Sequence, residues 1–206
     1  LAYFQAYTNT YGEVSDLISM YEEALSQEDV VGLIIATRPD CMPNELLNYL
    51  GQLAKRCYVM VEYGVETSHN DTLELINRGH TWEDVEDAVK RTSAAGVHCG
   101  AHLILGLPGE KLEHFIATAK RVSELPLDTV KLHQLQVIRG TRLAQMYEKN
   151  NVDIIEWTAE EYIDVCLKVM EHIREDLAIE RFVSQSPADL LISPKWGLKN
   201  YEFTNL

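Results

Sequence analysis

The sequence has few cysteines, no long apolar run and no segment typical of a secretory leader. Only four of its 206 residues are cysteines, and none lies at C-x-x-C spacing, so we expect buried thiols and no disulfide framework. No apolar run approaches the roughly 18–20 residues that span a membrane. The opening residues Leu-Ala-Tyr-Phe-Gln lack the basic region of a signal peptide. We therefore expect a cytoplasmic protein with no membrane contact.

Positive charge is also scarce. Eighteen lysines and arginines stand against 32 aspartates and glutamates, for a formal net charge of −14. This charge opposes non-specific binding to phosphate backbones, so a nucleic-acid role would need a local basic patch or further residues. The sequence also lacks an initiator methionine and opens inside a strand-like segment. We expect it to be a fragment of a longer protein.

What the sequence does contain is a regular alternation of strand-like and helical patterns. The middle strands are apolar on both faces, as in Val31-Gly32-Leu33-Ile34-Ile35, which is typical of strands buried in a parallel sheet. Helical patterns fill each gap, so the order predicts βα units. The five predicted strands cover residues 2–7, 30–37, 58–65, 98–105 and 129–137.

Capping residues support the predicted helices. Thr81 can begin a helix over 82–95, preceded by a shorter helix over 70–77. Thr158 and Glu161 have the spacing of a capping box. After residue 180 the pattern becomes irregular, with one short strand over 181–184. We expect a barrel-like domain over 1–178 and a C-terminal extension, 179–206, that packs on it.

Five motifs follow one another along the chain. They are A-Y-F-Q-A-Y-T-N-T-Y, T-R-P-D, V-E-Y-G-V-E-T-S-H-N-D-T-L-E-L-I-N-R-G-H, H-L-I-L-G-L-P-G-E and K-L-H-Q-L-Q-V-I-R-G-T. In this order they resemble the motifs of radical SAM proteins. They are similar to those of the bacterial YhcC/YtqA-type family, which is related to the Elongator catalytic subunit and to the oxygen-independent coproporphyrinogen oxidases. The tail P-A-D-L-L-I-S-P-K-W also resembles that family's C-terminus.

The resemblance implies an α/β fold, a partial (β/α)6 TIM-like barrel of the radical SAM type. Such enzymes hold a [4Fe–4S] cluster on a C-x-x-x-C-x-x-C motif after the first strand. They use the cluster and an electron donor such as flavodoxin or ferredoxin to cleave S-adenosylmethionine (SAM) to a 5′-deoxyadenosyl radical. That motif is absent here, so segment 2–7 corresponds to the second strand. We expect the first strand and the cluster loop to be missing, and the chain as given to be inactive.

The same resemblance, read beside the residues themselves, suggests where SAM binds. Glu62 lies in an apolar run, and a lone buried carboxylate is costly, so we expect it to meet a partner inside the barrel. Arg38 either binds a carboxylate of cofactor or substrate, or forms a salt bridge to Asp40. Ile104 is expected to contact adenine, and the Gln136 and Val137 backbone to bind it. The full candidate set is Gln5, Thr8, Arg38, Glu62, Gly64, Glu66, His102, Ile104, Gln136 and Val137.

Several alternatives remain open at this stage. No residue stands out as catalytic, and the histidines have no zinc-site spacing. Kinship with the Elongator subunit suggests a tRNA substrate modified at the wobble uridine. Lys131, placed inside a predicted strand, instead allows an aldolase-like barrel with a Schiff-base lysine. The acidic surface also allows a catalytically silent module that docks a partner protein.

Overall fold

The computed structural model describes all 206 residues, and its main sheet contains six strands in the order β1-β2-β3-β4-β5-β7. Strands β1, β2 and β3 pair in parallel, with Tyr3 opposite Ile34 and Ala36 opposite Glu62. A separate antiparallel pair joins β6 and β8. The strands are β1 Ala2–Phe4, β2 Gly32–Thr37, β3 Tyr58–Glu66, β4 His98–Leu105, β5 Thr129–Gln134, β6 Val137–Ile138, β7 Ala178–Arg181 and β8 Leu191–Ser193.

Eight α-helices and one 3₁₀ turn, Pro39–Cys41, alternate with the strands. None of the helices is long and apolar enough to span a bilayer. The helices are α1 Val14–Leu25, α2 Asn44–Leu53, α3 Asn70–Leu75, α4 Trp82–Ala94, α5 Leu112–Ser123, α6 Arg142–Glu148, α7 Ala159–Met170 and α8 Asn200–Thr204.

The chain divides into two compact units. Unit 1 comprises Leu1–Val65, Gly79–His102 and Glu124–Thr129. Its outer sheet face packs on helices: Val85, Ala88 and Val89 of α4 are fully buried, and Tyr63 and Thr92 share a hydrogen bond of 2.7 Å. Burial raises the pKa of the Tyr63 hydroxyl well above its usual range.

Unit 2 comprises Glu66–Arg78, Leu103–Ser123 and Val130–Leu206. Its centre is a cluster of aromatic rings around the fully buried Tyr162 of α7, whose ring centroid lies 5.2–5.6 Å from those of Trp157, Trp196 and Phe203. The Tyr162 hydroxyl donates to the Phe182 carbonyl at 2.9 Å, which satisfies its polar atom inside the cluster. The expected domain boundary after residue 178 falls inside this unit and stays a prediction.

The predicted strands occur with changes at their ends. The first ends at Phe4 and not at residue 7, because Asn9 turns back and its side-chain amide donates to the Phe4 and Ala36 carbonyls at 2.9 and 2.8 Å. The last breaks into β5 and β6, and the short strand predicted over 181–184 lies earlier, at β7. Both capping predictions are confirmed, at Thr81 with Asp84 and at Thr158 with Glu161.

Candidate functional site

A hydrogen-bonded group of three side chains occupies one face of the sheet in unit 1. Glu62 of β3 is buried, and its Oε2 accepts the Tyr3 hydroxyl at 2.6 Å and lies 2.9 Å from His102 Nε2. Tyr3 belongs to β1 and His102 to β4, so the three come from strands that the sheet holds in fixed register. The expectation that Glu62 meets a partner is confirmed.

Small residues make room for this group. Position 100, two residues before His102 on β4, is glycine, and a Cβ there would lie 3.2 Å from Glu62 Cγ and 2.7 Å from Thr129 Oγ1. Position 36, opposite Glu62 in the register, is alanine. Larger side chains at either place would compete with the carboxylate for space. The small residues at positions 36 and 100 therefore leave space for the Glu62 side chain.

Arg38 forms the local salt bridge that was one of its two expected roles. Its guanidinium binds Asp40 with Nε–Oδ1 and Nη2–Oδ2 distances of 2.9 and 2.5 Å, and it also donates to the Gly79 carbonyl at 3.2 Å. Burial opposes ionisation of Asp40, yet the hydrogen bond and charge of Arg38 outweigh it and lower the pKa of that carboxyl. Contact of Arg38 with a cofactor stays a prediction.

The other candidates in unit 1 lie at the ends of β1 and β3. Gln5 is exposed and Thr8 is half-buried, in the loop that follows β1. Beside them Tyr7 adopts a left-handed backbone (φ 64°), which is strained for an aromatic residue. Gly64 lies half-buried near the end of β3. Their cofactor contacts stay predictions.

In unit 2 the end of β3 carries an ion pair that the sequence reasoning missed. Glu66 has a left-handed backbone (φ 66°), and its Oε1 lies 2.9 Å from Arg78 Nη2. Both side chains are largely shielded, at 14% and 23% exposure. The motif N-R-G-H, just after α3, was the available signal for Arg78. Its pairing with Glu66 depends on the length of α3, which the motif alone does not show.

Of the remaining candidates, one lies on β4, one on β6 and one between β5 and β6. Ile104 is half-buried on β4, on the same face as His102. The Gln136 side chain donates to the Ser184 carbonyl at 3.2 Å and accepts from Ser186 Oγ at 2.7 Å, so it anchors that segment. Val137 is buried in β6, opposite Ser193. The expected role of the Gln136 and Val137 backbone stays a prediction.

Lys131, the basis of the aldolase alternative, is already paired. Its Nζ lies 3.3 Å from Glu180 Oε2 of β7, and the residue is buried. A Schiff-base lysine must present its Nζ to a carbonyl substrate, and here Glu180 holds that atom. This pairing argues against the aldolase alternative.

The residues present do not fit an iron–sulfur cluster. No disulfide joins the four cysteines, and no three histidine, cysteine or carboxylate side chains come together in a metal-binding group. Cys99 and Cys166 are buried in β4 and α7, and burial raises the pKa of each thiol to about 12. Thiols that do not come together cannot supply the clustered thiolates that a [4Fe–4S] group requires.

Two protein-family profiles match this chain. The profile described as the radical SAM superfamily matches residues 2–122, and the one described as the radical SAM C-terminal domain matches 127–206. The chain is 35% identical to YtqA of Bacillus subtilis over 202 residues, which is 98% of this chain and 62% of that protein. It is 36% identical to the tRNA uridine(34) acetyltransferase of Methanocaldococcus jannaschii over 122 residues, 58% of this chain and 22% of that protein.

Solved structures show the same fold. The Elp3 of Methanocaldococcus infernus superposes with a TM-score of 0.77 at 23% identity, covering 92% of this chain and 49% of that one. Coproporphyrinogen III oxidase of Escherichia coli superposes with a TM-score of 0.59 at 19% identity, covering 80% of this chain and 37% of that one. The mixed α/β fold with a parallel sheet is thus that of radical SAM enzymes, and the family resemblance is confirmed. This family uses SAM and a [4Fe–4S] cluster. Because the superfamily profile matches more than half of the chain, the chain belongs to the radical SAM superfamily.

Proposed function

We propose that this chain forms the larger part of the catalytic barrel of a radical SAM enzyme, whose cluster cysteines lie outside these 206 residues. The observation that carries the proposal is the match of the superfamily profile to residues 2–122. The chain spans about 62% of the length of YtqA, which leaves room in such a protein for a cluster-binding segment. In this family the cluster supplies the electron that cleaves SAM to a 5′-deoxyadenosyl radical.

The residues of unit 2 suit the charged end of SAM. The methionyl portion carries an ammonium and a carboxylate, and Glu66 and Arg78 supply one charge of each opposite sign. We assign these two side chains to that portion, because a partly shielded ion pair can exchange its internal contact for a ligand of matching charges. The apolar side chain of Ile104 and the backbone of Gln136 and Val137 are assigned to adenine.

In unit 1 the candidates Gln5 and Thr8 follow β1, Arg38 follows β2 and Gly64 lies near the end of β3. The carboxyl ends of parallel strands are where α/β proteins bind ligands. Gln5 and Thr8 offer uncharged hydrogen-bonding groups, and Gly64 allows a close backbone approach. Arg38 would have to leave Asp40 to reach a cofactor carboxylate. We therefore rank its contribution below that of Arg78.

Anaerobic reconstitution of the full-length protein tests the reaction. We expect iron and sulfide to give a brown cluster, and dithionite with SAM to give 5′-deoxyadenosine detectable by mass spectrometry. The 206-residue chain, treated in the same way, is the matched control and should give neither. A full-length sequence without C-x-x-x-C-x-x-C, or a reconstituted protein that forms no 5′-deoxyadenosine, would contradict the proposal.

Binding of SAM tests the assignment of Arg78. Replacing it with alanine should weaken SAM binding by about tenfold or more, since a charge-assisted contact is worth roughly 1.5–3 kcal/mol. Arg56→Ala is the control, because Arg56 forms an exposed ion pair with Glu22 in unit 1. Isothermal titration of the full-length protein measures both. Equal affinities in the two variants would remove Arg78 from the site.

For the substrate we propose a tRNA, modified at the wobble uridine. The support is the 36% identity to the tRNA uridine(34) acetyltransferase of M. jannaschii. The net charge of −14 opposes this proposal for the chain alone, so the basic residues that grip the phosphates would have to lie elsewhere in the protein. Mobility-shift titrations with tRNA at rising salt should show steeply salt-dependent binding for the full-length protein and none for the 206-residue chain.

The proposed setting is a cytoplasmic enzyme served by an electron donor such as flavodoxin or ferredoxin. Four cysteines without a disulfide are usual for a reducing compartment. Replacing dithionite with reduced flavodoxin in the 5′-deoxyadenosine assay tests the donor.

A further inference from the structure

One short stretch of unit 2, residues 138–149, is basic although the protein as a whole is strongly acidic. It contains three cations, Arg139, Arg142 and Lys149, and a single carboxylate, Glu148, whereas the whole chain has a net charge of −14. All three cationic residues are exposed. We call Arg139, Arg142 and Lys149 the basic stripe.

The protein itself does not use the side chains of the basic stripe. None of the three forms an ion pair or a side-chain hydrogen bond. By contrast, a carboxylate binds each of Arg38, Arg56 and Arg174. Like charges along one short segment repel one another, and a bound anion removes that repulsion. The basic stripe is therefore a surface that an anionic ligand would stabilise.

The backbone beneath the basic stripe is held in place. The Arg139 amide donates to the Leu190 carbonyl at 2.8 Å, and the Thr141 hydroxyl donates to the Ile138 carbonyl at 2.7 Å. Between these two contacts Gly140 has a φ of 85°, and a Cβ added there would meet no atom within 4 Å. The turn is thus fixed at its base and open on its outer side, so a ligand can approach the cations without a change of the backbone.

The helix α6 gives the basic stripe its spacing. Arg142 begins α6 and Lys149 follows its last residue. Because seven residues make nearly two turns, the two side chains leave the same face of the helix, about 10 Å apart along its axis. Gln145, which is also exposed, lies between them on that face, and Glu148 leaves the helix about 120° away. The face therefore presents cations and an amide, and no carboxylate.

The cofactor assigned above does not account for the basic stripe. SAM carries no phosphate, and its one carboxylate is assigned to Arg78. Arg139 lies two residues after Val137, whose backbone is assigned to adenine, so the stripe continues directly from the proposed site along the chain. The anions that remain are those of the substrate. A polynucleotide presents a row of phosphates, and the planar guanidinium of arginine binds phosphate through two hydrogen bonds.

We propose that the basic stripe binds backbone phosphates of the RNA substrate beside the nucleotide that is modified. The inference rests on the proposed tRNA substrate and names the surface by which this chain contacts it. Three cations neutralise too few phosphates to hold a tRNA alone on a chain of net charge −14. They orient the RNA at the site, while the main binding surface lies elsewhere in the protein.

The salt dependence of tRNA binding tests this role. Each contact with a single-stranded phosphate contributes about 0.7 to the slope of log affinity against log salt concentration. In the full-length protein, the double variant Arg139→Gln, Arg142→Gln should therefore lower that slope by about 1.4. This change corresponds to about 25-fold weaker binding at about 0.1 M salt and to little change at about 1 M. Fluorescence-anisotropy titrations of labelled tRNA over this range measure the slope.

Two further double variants separate a specific contact from a general charge effect. Lys120→Gln, Lys168→Gln removes the same charge from exposed positions in the last turns of α5 and α7, and it should change the slope by less than half as much. Arg139→Lys, Arg142→Lys keeps the charge and should keep most of the slope. An equal fall in the slope for the glutamine variants of the stripe and of the control would overturn the proposal. An unchanged slope, in a stripe variant with wild-type circular dichroism and melting temperature, would overturn it as well.

The isolated anticodon stem–loop locates the contact. If the basic stripe lies beside the modified nucleotide, the double variant Arg139→Gln, Arg142→Gln should lose as much affinity for this short RNA as for the complete tRNA. A loss seen only with the complete tRNA would overturn the proposal. Each of these failures leaves the proposed substrate standing, because the wild-type protein still binds tRNA. A wild-type full-length protein that binds no tRNA would remove the proposed substrate, and this inference with it.

Discussion

Two histidines on β4 each meet a carboxylate, yet the two pairs differ in nearly every physical respect. His98, at the start of the strand, lies 3.3 Å from Asp128, and the two side chains are 51% and 46% exposed. His102, four residues later, lies 2.9 Å from a carboxylate that is fully buried. Water reaches both side chains of the first pair and competes for their hydrogen bonds. In the second pair the carboxylate is shielded from water, and the imidazole is 19% exposed.

The difference shows that distance alone does not measure how much a histidine–carboxylate contact contributes to stability. An exposed pair is screened and its partners are solvated when it breaks, so it contributes little. A buried carboxylate that loses its donors has no water to replace them, and it carries the full cost of desolvation. Burial therefore increases along β4 from His98 to His102, and four measurements can test what this difference does.

Cys99 should show the largest effect, because it lies next to His98 and yet already belongs to the interior. Burial raises the pKa of its thiol from 9.0 to about 12, so at pH 8 its thiolate fraction is about a thousandfold below that of an ordinary cysteine. We expect alkylation of Cys99 by iodoacetamide at pH 8 to be at least a thousandfold slower than in the urea-unfolded protein, and to accelerate about tenfold for each pH unit up to about 12. Mass spectrometry of the labelled peptide measures the rate. A Cys99 that reacts at the unfolded rate would mean that the interior begins later on the strand.

Removal of both donors from Glu62 comes next. In the double variant Tyr3→Phe, His102→Leu the carboxylate loses two hydrogen bonds in a buried place. We expect a loss of about 3–5 kcal/mol in the free energy of unfolding, measured by urea titration. Adding Glu62→Leu to the same protein is the control. It should recover much of the loss, because an all-apolar group avoids the buried charge. A double variant as stable as the wild type would show that water reaches Glu62.

The sequence could predict one half of this group and not the other. The position of Glu62 inside the apolar run of β3 indicated that this carboxylate needed a partner, and His102 was among the candidate residues. Tyr3 could not be found in the same way. It lies two strands from Glu62, and only the pairing of β1, β2 and β3 brings its hydroxyl to the carboxylate.

The sequence could not predict where some strands end or which residues pair across long stretches of the chain. The alternation of apolar runs located the strands, because it reflects burial on both faces. It could not locate the stop at Phe4 or the break after Gln134, since these depend on Asn9 and on the Ser184 segment far along the chain. The Glu66–Arg78 pair was missed for the same reason, because it requires the backbone turn at Glu66 and the exact extent of α3.

The Arg38–Asp40 pair, intermediate in exposure, should give an intermediate and pH-dependent effect. The pKa of Asp40 is lowered in the folded protein, so its contribution is present above the unfolded value near 4 and is lost as the pH falls through the folded value. Asp40→Asn should cost about 1 kcal/mol or less at pH 7, and the difference from the wild type should shrink toward pH 2. Urea titrations between pH 2 and 7 measure it. A difference that grows as the pH falls would reverse the sign of the argument.

His98→Ala should have the smallest effect, because it removes only the solvent-exposed pair. The exposed contact with Asp128 contributes little, and Asp128 keeps its hydrogen bond from the Cys99 amide at 2.8 Å when the imidazole is removed. The stacking of His98 on Tyr58, with ring centroids 5.0 Å apart, is lost as well. We expect a loss of about 0.5 kcal/mol or less, and less still in 1 M salt. If urea titration showed His98→Ala to cost as much as the double variant at Glu62, burial would not be what separates the two histidines.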